Sequence, residues 1–509
     1  MPLNTRPLLA LQATALAAAL PLSLTVTTPA LAQAASSPAT TQAPIAESRS
    51  ATTRASLPAA KQSAPATPAA SPELTELRQA VQQLREQYEG RLQALEQRLK
   101  DAEARAAATA PVQAAGQAAM LTSTQATEPQ ASPQGGGGGF NPSVSLILSG
   151  NYAHLSKDPA TWQLSGFAMG EGEAGPGSKG LNLGESEVSF AANIDPWWYG
   201  ALTLSFAADN SVSAEEAFVQ TTALSNGLKL KVGRFFSGLG YLNEQHAHTW
   251  DFADAPLAYQ AFLGGQLGQD GVQARWLAPT DQFIELGAEA ARGQASDNGA
   301  GRMALFAHTG GDVGDSHSWR AGISQLWERS LSRSLVASDS ASGQTVSNTF
   351  TGHDRLTVLD GVWKWAPNGN ATHTHFKLQG EYVRRQAQGQ LLAGLDANDS
   401  TVPGQLGNYT SVQSGWYLQG IYQFMPGWRV GLRHDQLNVG RNDLGLNASV
   451  ISIGTHQPKR DSLMLDWALS EFSRWRVQFN RDQARPGSAD PQFYLQYQMS
   501  LGAHGAHSY

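Results

Sequence analysis

The sequence contains no cysteine. A disulfide framework, a thiolate zinc centre and a cysteine nucleophile are therefore excluded. Charge is scarce as well: only 15% of residues are Asp, Glu, Lys or Arg, against about a quarter in ordinary soluble domains. Outside the extreme N-terminus no stretch approaches the run of about 18 apolar residues that a transmembrane helix needs, so the pattern excludes a multi-helix membrane protein. Basic residues do not predominate either. Lys and Arg total 35 against 42 Asp and Glu, a net charge of −7, which argues against nucleic-acid binding. No Gly-x-Ser-x-Gly elbow occurs, and the chain is not read as an enzyme.

What the sequence does have changes along its 509 residues. Arg6, the apolar stretch Leu8 to Val26 and the small-x-small pattern Ala30-Leu31-Ala32 predict an export signal over 1–32. Residues 33–70, rich in Ala, Ser, Thr and Pro, read as a flexible linker. Ser71-Pro72-Glu73 then supplies an N-cap, a first-turn proline and a first-turn acid. Leu74, Leu77, Val81, Leu84 and Tyr88 follow at alternating three- and four-residue steps, continued by Leu92, Leu95, Leu99 and Ala102. This seam predicts a short coiled coil over 71–106, with a stutter at the Tyr88 to Leu92 step. Residues 107–140 form a second linker ending in the glycine run 135–139.

From residue 141 the periodicity becomes two. Val188, Phe190, Ala192 and Ile194 share one face and Glu187, Ser189 and Asn193 the other; Leu228, Leu230 and Val232 alternate with Lys229 and Lys231. Such segments of about 9–12 residues suit a tilted crossing of a bilayer, whereas sandwich strands are nearer 5–6. Short turns are expected near 195–196, 225–227, 279–281, 310–311, 367–369, 426–427 and 471–473. Longer polar stretches fall between them, near 154–181, 209–213, 237–270, 292–301, 328–352, 387–411, 439–456 and 483–491. Alternating short turns and long loops around about sixteen strands predict an all-β fold, a transmembrane antiparallel β-barrel over 141–509. Trp197-Trp198-Tyr199, Trp363, Trp365, Trp416-Tyr417, Trp428 and Trp475 fall near strand ends, where amphipathic rings meet lipid headgroups.

The segment Lys229-Leu230-Lys231-Val232-Gly233-Arg234-Phe235-Phe236 before a long loop, the late strand Gly431-Leu432-Arg433-His434-Asp435, and Phe493-Tyr494-Leu495-Gln496-Tyr497 near the end resemble Gram-negative outer-membrane porins. In architecture the chain is similar to the phosphate-selective porins O and P, many of which carry a periplasmic coiled coil. The resemblance implies a homotrimeric sixteen-stranded diffusion channel in the outer membrane, with the N-terminal region in the periplasm. It also implies outer-membrane lipid as surroundings and the outer-membrane assembly machinery as a partner reading the terminal Tyr509. Charge sets the chain apart. Of the 35 basic and 42 acidic residues, 10 and 9 precede residue 140, which leaves 25 against 33 and a net of −8 for the barrel region. An anion-selective pore calls for a basic lining, so phosphate selectivity is not carried over and a cation-leaning pore is expected.

In sixteen-stranded porins the third loop folds into the lumen, and 237–270 is the third loop here. Glu244, His246, His248, Asp251 and Asp254 are expected at the constriction, with Glu187, Lys229, Lys231 and Arg234 lining the pore. All 12 histidines follow residue 140. They include the close pairs His246/His248, His373/His375 and His504/His507, and histidines at i and i+2 on a strand face the same way and can share a metal. Carboxylates Glu244, Asp251 and Asp254 would complete such a site for Zn²⁺ or another divalent cation. No other cofactor is expected. An outer-membrane zinc-uptake receptor and an envelope tether acting through the coiled coil are the alternative functions.

Overall fold

The computed structural model describes residues 142–169, 174–293, 300–394 and 405–502. The export signal, coiled coil and linkers, and His504 and His507, lie outside the described residues.

The described chain is one antiparallel sheet closed on itself. It counts eighteen strands, of which two are short additions carried by loops: Gly180–Leu183, paired with the first strand, and Ile451–Ser452, paired with the tip of a long hairpin. The sixteen that remain form the barrel wall. In chain order they are β1 (Ser143–Leu155), β2 (Ser186–Asn193), β3 (Trp198–Phe206), β4 (Val212–Thr221), β5 (Leu228–Phe236), β6 (Gly268–Leu277), β7 (Phe283–Ala291) and β8 (Arg302–Val313). β9 (His317–Asp339), β10 (Thr345–Trp365), β11 (His375–Ala393), β12 (Gln405–Met425), β13 (Trp428–Asp443), β14 (Lys459–Ser470), β15 (Ser473–Gln483) and β16 (Asp490–Gly502) complete it. Each strand pairs with its sequence neighbours, and β1 closes the ring by pairing with β16 from Ser145↔Gly502 to Leu155↔Gln492. Closure leaves no sheet edge unpaired.

Side-chain alternation sets the two faces. On β12, Tyr417, Gln419, Ile421 and Gln423 are buried, while Trp416, Leu418, Tyr422 and Phe424 are exposed. On β14, Arg460, Ser462, Met464 and Asp466 are buried and Leu463, Leu465 and Trp467 exposed. Amides, guanidinium groups and carboxylates thus face the barrel interior, and leucines and tryptophans face out. This is the reverse of a water-soluble sheet and the polarity that a wall in lipid requires. The expected aromatics divide by the same rule: Trp197, Trp198, Trp363, Trp416 and Trp475 are exposed, whereas Tyr199 and Tyr417, one residue on, are buried inside.

Strand length departs from the sequence expectation on one side. β9 to β12 run 19–23 residues, well beyond the roughly 9–11 needed to cross a bilayer. Of the stretches 328–352 and 387–411, expected as loops, the described residues are mostly paired strand. Buried Leu335, Ala337, Val346, Phe350, Leu391 and Tyr409 explain this, because they pack as one cluster with Ala168 and Ile451 from neighbouring loops. The expected turn at 310–311 is also strand, with the reversal at 314–316. Gly310 marks close backbone approach instead, since a Cβ there would sit 2.6 Å from the Trp319 carbonyl oxygen. At Asn226-Gly227 the turn reading holds, both residues having positive φ (62° and 74°) as a tight hairpin requires.

Candidate lumen site on the third loop

Residues 237–267 leave β5 and return to β6 through the barrel interior. The segment contains a single 3-10 turn, Ala247–Thr249, and the short helix α1 (Leu257–Leu263), capped by Gly264 at φ 70°. Every residue of α1 is buried. Its apolar side chains pack with Leu239, Leu242 and Trp250 of the same loop, with Leu164 and Phe167 of the loop after β1, and with the inward residues Leu326, Leu356, Val358, Val383, Tyr417 and Leu437. The high apolar content visible in the sequence therefore forms a core against the inner wall.

Polar contacts pin the loop at three places. Asn243, wholly buried, clamps the neck: its amide donates to the carbonyls of Ser237 (2.8 Å) and Leu267 (3.1 Å), and its oxygen accepts from Leu267 N (2.8 Å). Glu381 on β11 accepts from Leu242 N (2.9 Å), Tyr259 Oη (2.9 Å) and Tyr417 Oη (2.8 Å). Burial and the adjacent Glu381 push the Tyr259 phenol well above its ordinary pKa. Asp254 receives Arg433 (2.7 Å), Arg460 (2.8 Å), Gln478 (2.8 Å) and Asn480 (2.9 Å) from β13, β14 and β15. Burial alone would raise its pKa, but Arg460 and Arg433 outweigh that and hold it at about 2.

The other expected constriction residues separate into two environments. Asp251 contacts Lys377 (2.5 Å), Arg429 (3.2 Å) and Gln419 (3.0 Å). Burial opposes ionisation there too, yet Lys377 and Arg429 lower its pKa. Glu244 pairs with Arg275, which also binds Glu285 at 3.1 Å. None of Glu244, Asp251 and Asp254 joins the histidines, so the expected ligand set is corrected: cationic side chains engage all three. The histidines meet carboxylates from the wall instead. His248 Nδ1 lies 2.8 Å from Glu187 Oε1, and His246 Nδ1 lies 3.2 Å from Glu187 Oε2 and 3.3 Å from Glu215 Oε2. On its other side His246 Nε2 is 3.0 Å from Glu216 Oε2. Burial would lower the His246 pKa, but Glu187, Glu215 and Glu216 hold it well above its ordinary value. Glu185, in the loop before β2, is pushed up by burial and by Glu187 and Glu215. His246 caps a 3-10 turn and His248 lies within it, neither being on a strand, and this tight turn with one carboxylate between the rings brings them together.

Among the expected lining residues, Glu187 is buried at this cluster. Lys229 is opposite inward-facing Arg275, and Lys231 lies over the Phe218 ring at 4.1 Å. Arg234 is corrected. It follows the alternation of exposed Val232, pairs across strands with Asp270 and forms a 2.6 Å ion pair to it, with both side chains nearly half exposed on the outer face. His375 is held at the short-turn end of β11, its Nδ1 2.9 Å from the Ala371 carbonyl. Among the described residues, the groups tight enough to hold a cation are Glu187–His246–His248 and Glu185–Glu187–Glu215, and His373 and His375 are in neither. Sequence reasoning missed Glu215, Glu216, Glu381 and Asn243. The adjacent acids Glu215-Glu216 in a strand bordering the third loop were the one available signal for this cluster.

The fold and site define a closed sixteen-stranded β-barrel whose third loop lines its interior. The chain is 30% identical over 404 residues to an "Uncharacterized protein" of Aquifex aeolicus (strain VF5), covering 73% of this chain and 80% of that one, and it belongs to the same protein family. No protein-family model matches the chain. Among solved structures it is similar to OmpTdeltaL8, a loop L8 deletion mutant of the Vibrio cholerae outer membrane protein OmpT (10% identity, TM-score 0.44, 71% of this chain and 99% of that one). It is also similar to the outer membrane channel DcaP of Acinetobacter baumannii (12% identity, TM-score 0.42, 71% and 98%) and to an anion-selective porin from Comamonas acidovorans (11% identity, TM-score 0.40, 71% and 99%).

Proposed function

We propose that the protein is a Gram-negative outer-membrane porin, a passive channel for small polar solutes and ions narrowed by its third loop. The observation that carries this reading is the reversed polarity of a closed wall, polar inside and apolar outside, with residues 237–267 pinned to its inner face. In this reading the chain works as a homotrimer with its N-terminal region in the periplasm. The lumen leans toward cations. Asp251 and Asp254 contribute little to that preference, because Lys377, Arg429, Arg433 and Arg460 offset their charge. The carboxylates that bias ions are Glu187, Glu215 and Glu216, three acids against the two imidazoles of His246 and His248.

The test is single-channel recording of the full chain in planar bilayers under a KCl gradient. Discrete openings with a K⁺-selective reversal potential are expected, and Glu215→Gln/Glu216→Gln should move that potential toward zero. The apolar core that the third loop and the loop after β1 build inside the barrel favours a second reading, a barrel closed at rest that anchors the envelope. A folded barrel that stays electrically silent would replace the porin reading with that one.

A further inference from the structure

We propose that Glu187, His246 and His248 bind a divalent transition-metal cation of the zinc class, with Glu215 flanking the site. The donor set is mixed imidazole and carboxylate, which suits zinc and its first-row neighbours, whereas Ca²⁺ and Mg²⁺ take oxygen ligands throughout. The spacing suits it too. Donors about 2.0–2.1 Å from a tetrahedral Zn²⁺ stand about 3.3 Å from one another. Here His246 Nδ1 is 3.2 Å from Glu187 Oε2 and 3.3 Å from Glu215 Oε2, and His248 Nδ1 is 2.8 Å from Glu187 Oε1.

An independent observation comes from the far side of the His246 ring. Glu216 Oε2 lies 3.0 Å from Nε2. When a cation displaces the Nδ1 proton, this carboxylate accepts from Nε2–H and fixes the tautomer, the outer support typical of metal-bound histidine. Nδ1 then faces Glu187 and Glu215. The ring is held further by Phe236, which meets it in a T-shaped contact with the ring centroids 5.3 Å apart. The donors come from β2 and from the capped 3-10 turn of the third loop, so a bound cation would tie the loop to a wall strand. The surrounding charges are Glu185 and Glu216, Lys231, whose field reaches Glu216, and Arg474, which donates to the His248 carbonyl at 2.8 Å.

This site does not depend on whether the barrel conducts, so it is tested by binding and not by current. Full-length protein, folded in detergent and stripped with a chelator, is titrated with Zn²⁺ by calorimetry, and Co²⁺ is used for its visible absorption. We expect one Zn²⁺ per chain. Glu187→Gln and His248→Ala should weaken binding at least tenfold and abolish the four-coordinate Co²⁺ bands, while His375→Ala should leave both unchanged. Binding that is absent in the wild type at micromolar Zn²⁺, or equal in all these variants, overturns the site. If the variants fail to fold, Zn²⁺ protection of His246 and His248 from diethyl pyrocarbonate in the wild type decides the matter. Equal modification with and without Zn²⁺ overturns the proposal.

Discussion

Replacing Asp254 by Asn should release the third loop from the wall without unfolding the barrel. The carboxylate is buried and accepts from Arg433, Arg460, Gln478 and Asn480 at 2.7–2.9 Å. The amide turns donors against donors and leaves two buried guanidinium groups short of a counter-charge, a loss of about 3–5 kcal/mol for a broken buried pair. The pKa gives a compatible figure. Asp254 titrates at about 2 in the fold against an ordinary value of 3.8, which corresponds to roughly 2–3 kcal/mol. Since the folded pKa is depressed, this stabilisation is fully present above about pH 4 and disappears as pH falls through about 2. The hydrogen-bonded wall remains closed, so the cost falls on loop docking, and the undocked population should rise about a hundredfold or more. The absence of native cysteine makes this measurable. Ala261→Cys places one thiol on α1, where Ala261 is fully buried, and its maleimide labelling rate reports undocking. Equal labelling rates in Ala261→Cys and Ala261→Cys/Asp254→Asn at pH 7 would refute the ion-pair anchor.

Other expectations follow from the same contacts. Asn243→Ala removes the clamp at the loop neck and strands the Ser237 and Leu267 backbone groups, which should cost about 1–3 kcal/mol and speed maleimide labelling in the Ala261→Cys background. Arg234→Gln should leave single-channel conductance and selectivity unchanged, because that side chain pairs with Asp270 on the outer face; a shifted reversal potential would put it back in the lumen. Leu432→Arg, on the exposed face between Trp428 and His434, should destabilise the barrel by about 2–4 kcal/mol in urea unfolding from lipid vesicles if it sits near the bilayer midplane. An unchanged midpoint would place that face outside lipid.

Much of the barrel was legible because strand patterning is local. Alternation along β5, β12 and β14 assigns each side chain a face, and Asn226-Gly227 or Pro426-Gly427 mark reversals by their own backbone preferences. Where the reading failed, the deciding contacts were distant. Serine- and glycine-rich stretches in 328–352 and 387–411 look like loops, but Leu335, Phe350 and Tyr409 find one another across three hairpins and keep the strands paired. Arg234 shares its face with Leu228, Leu230 and Val232, so alternation along β5 sets it outside, and only its charge suggests the lumen.

Sequence alone determined the all-β class, the approximate strand number, the lack of thiol chemistry and the choice of the third loop as the place to look. Those follow from periodicity, absence and turn chemistry, all local properties. Tertiary structure decided how the charges of that loop were distributed. Glu244, Asp251 and Asp254 are as near to His246 and His248 in sequence as residues can usefully be, yet Arg275 of adjoining β6 claims the first, and Lys377 and arginines of the more distant strands β11, β13 and β14 claim the other two. Glu187, Glu215 and Glu216, about 30 to 60 positions away, meet the imidazoles instead. Closing a sheet brings non-neighbouring strands to a common interior, and buried charges then select the partners that best offset their lost hydration.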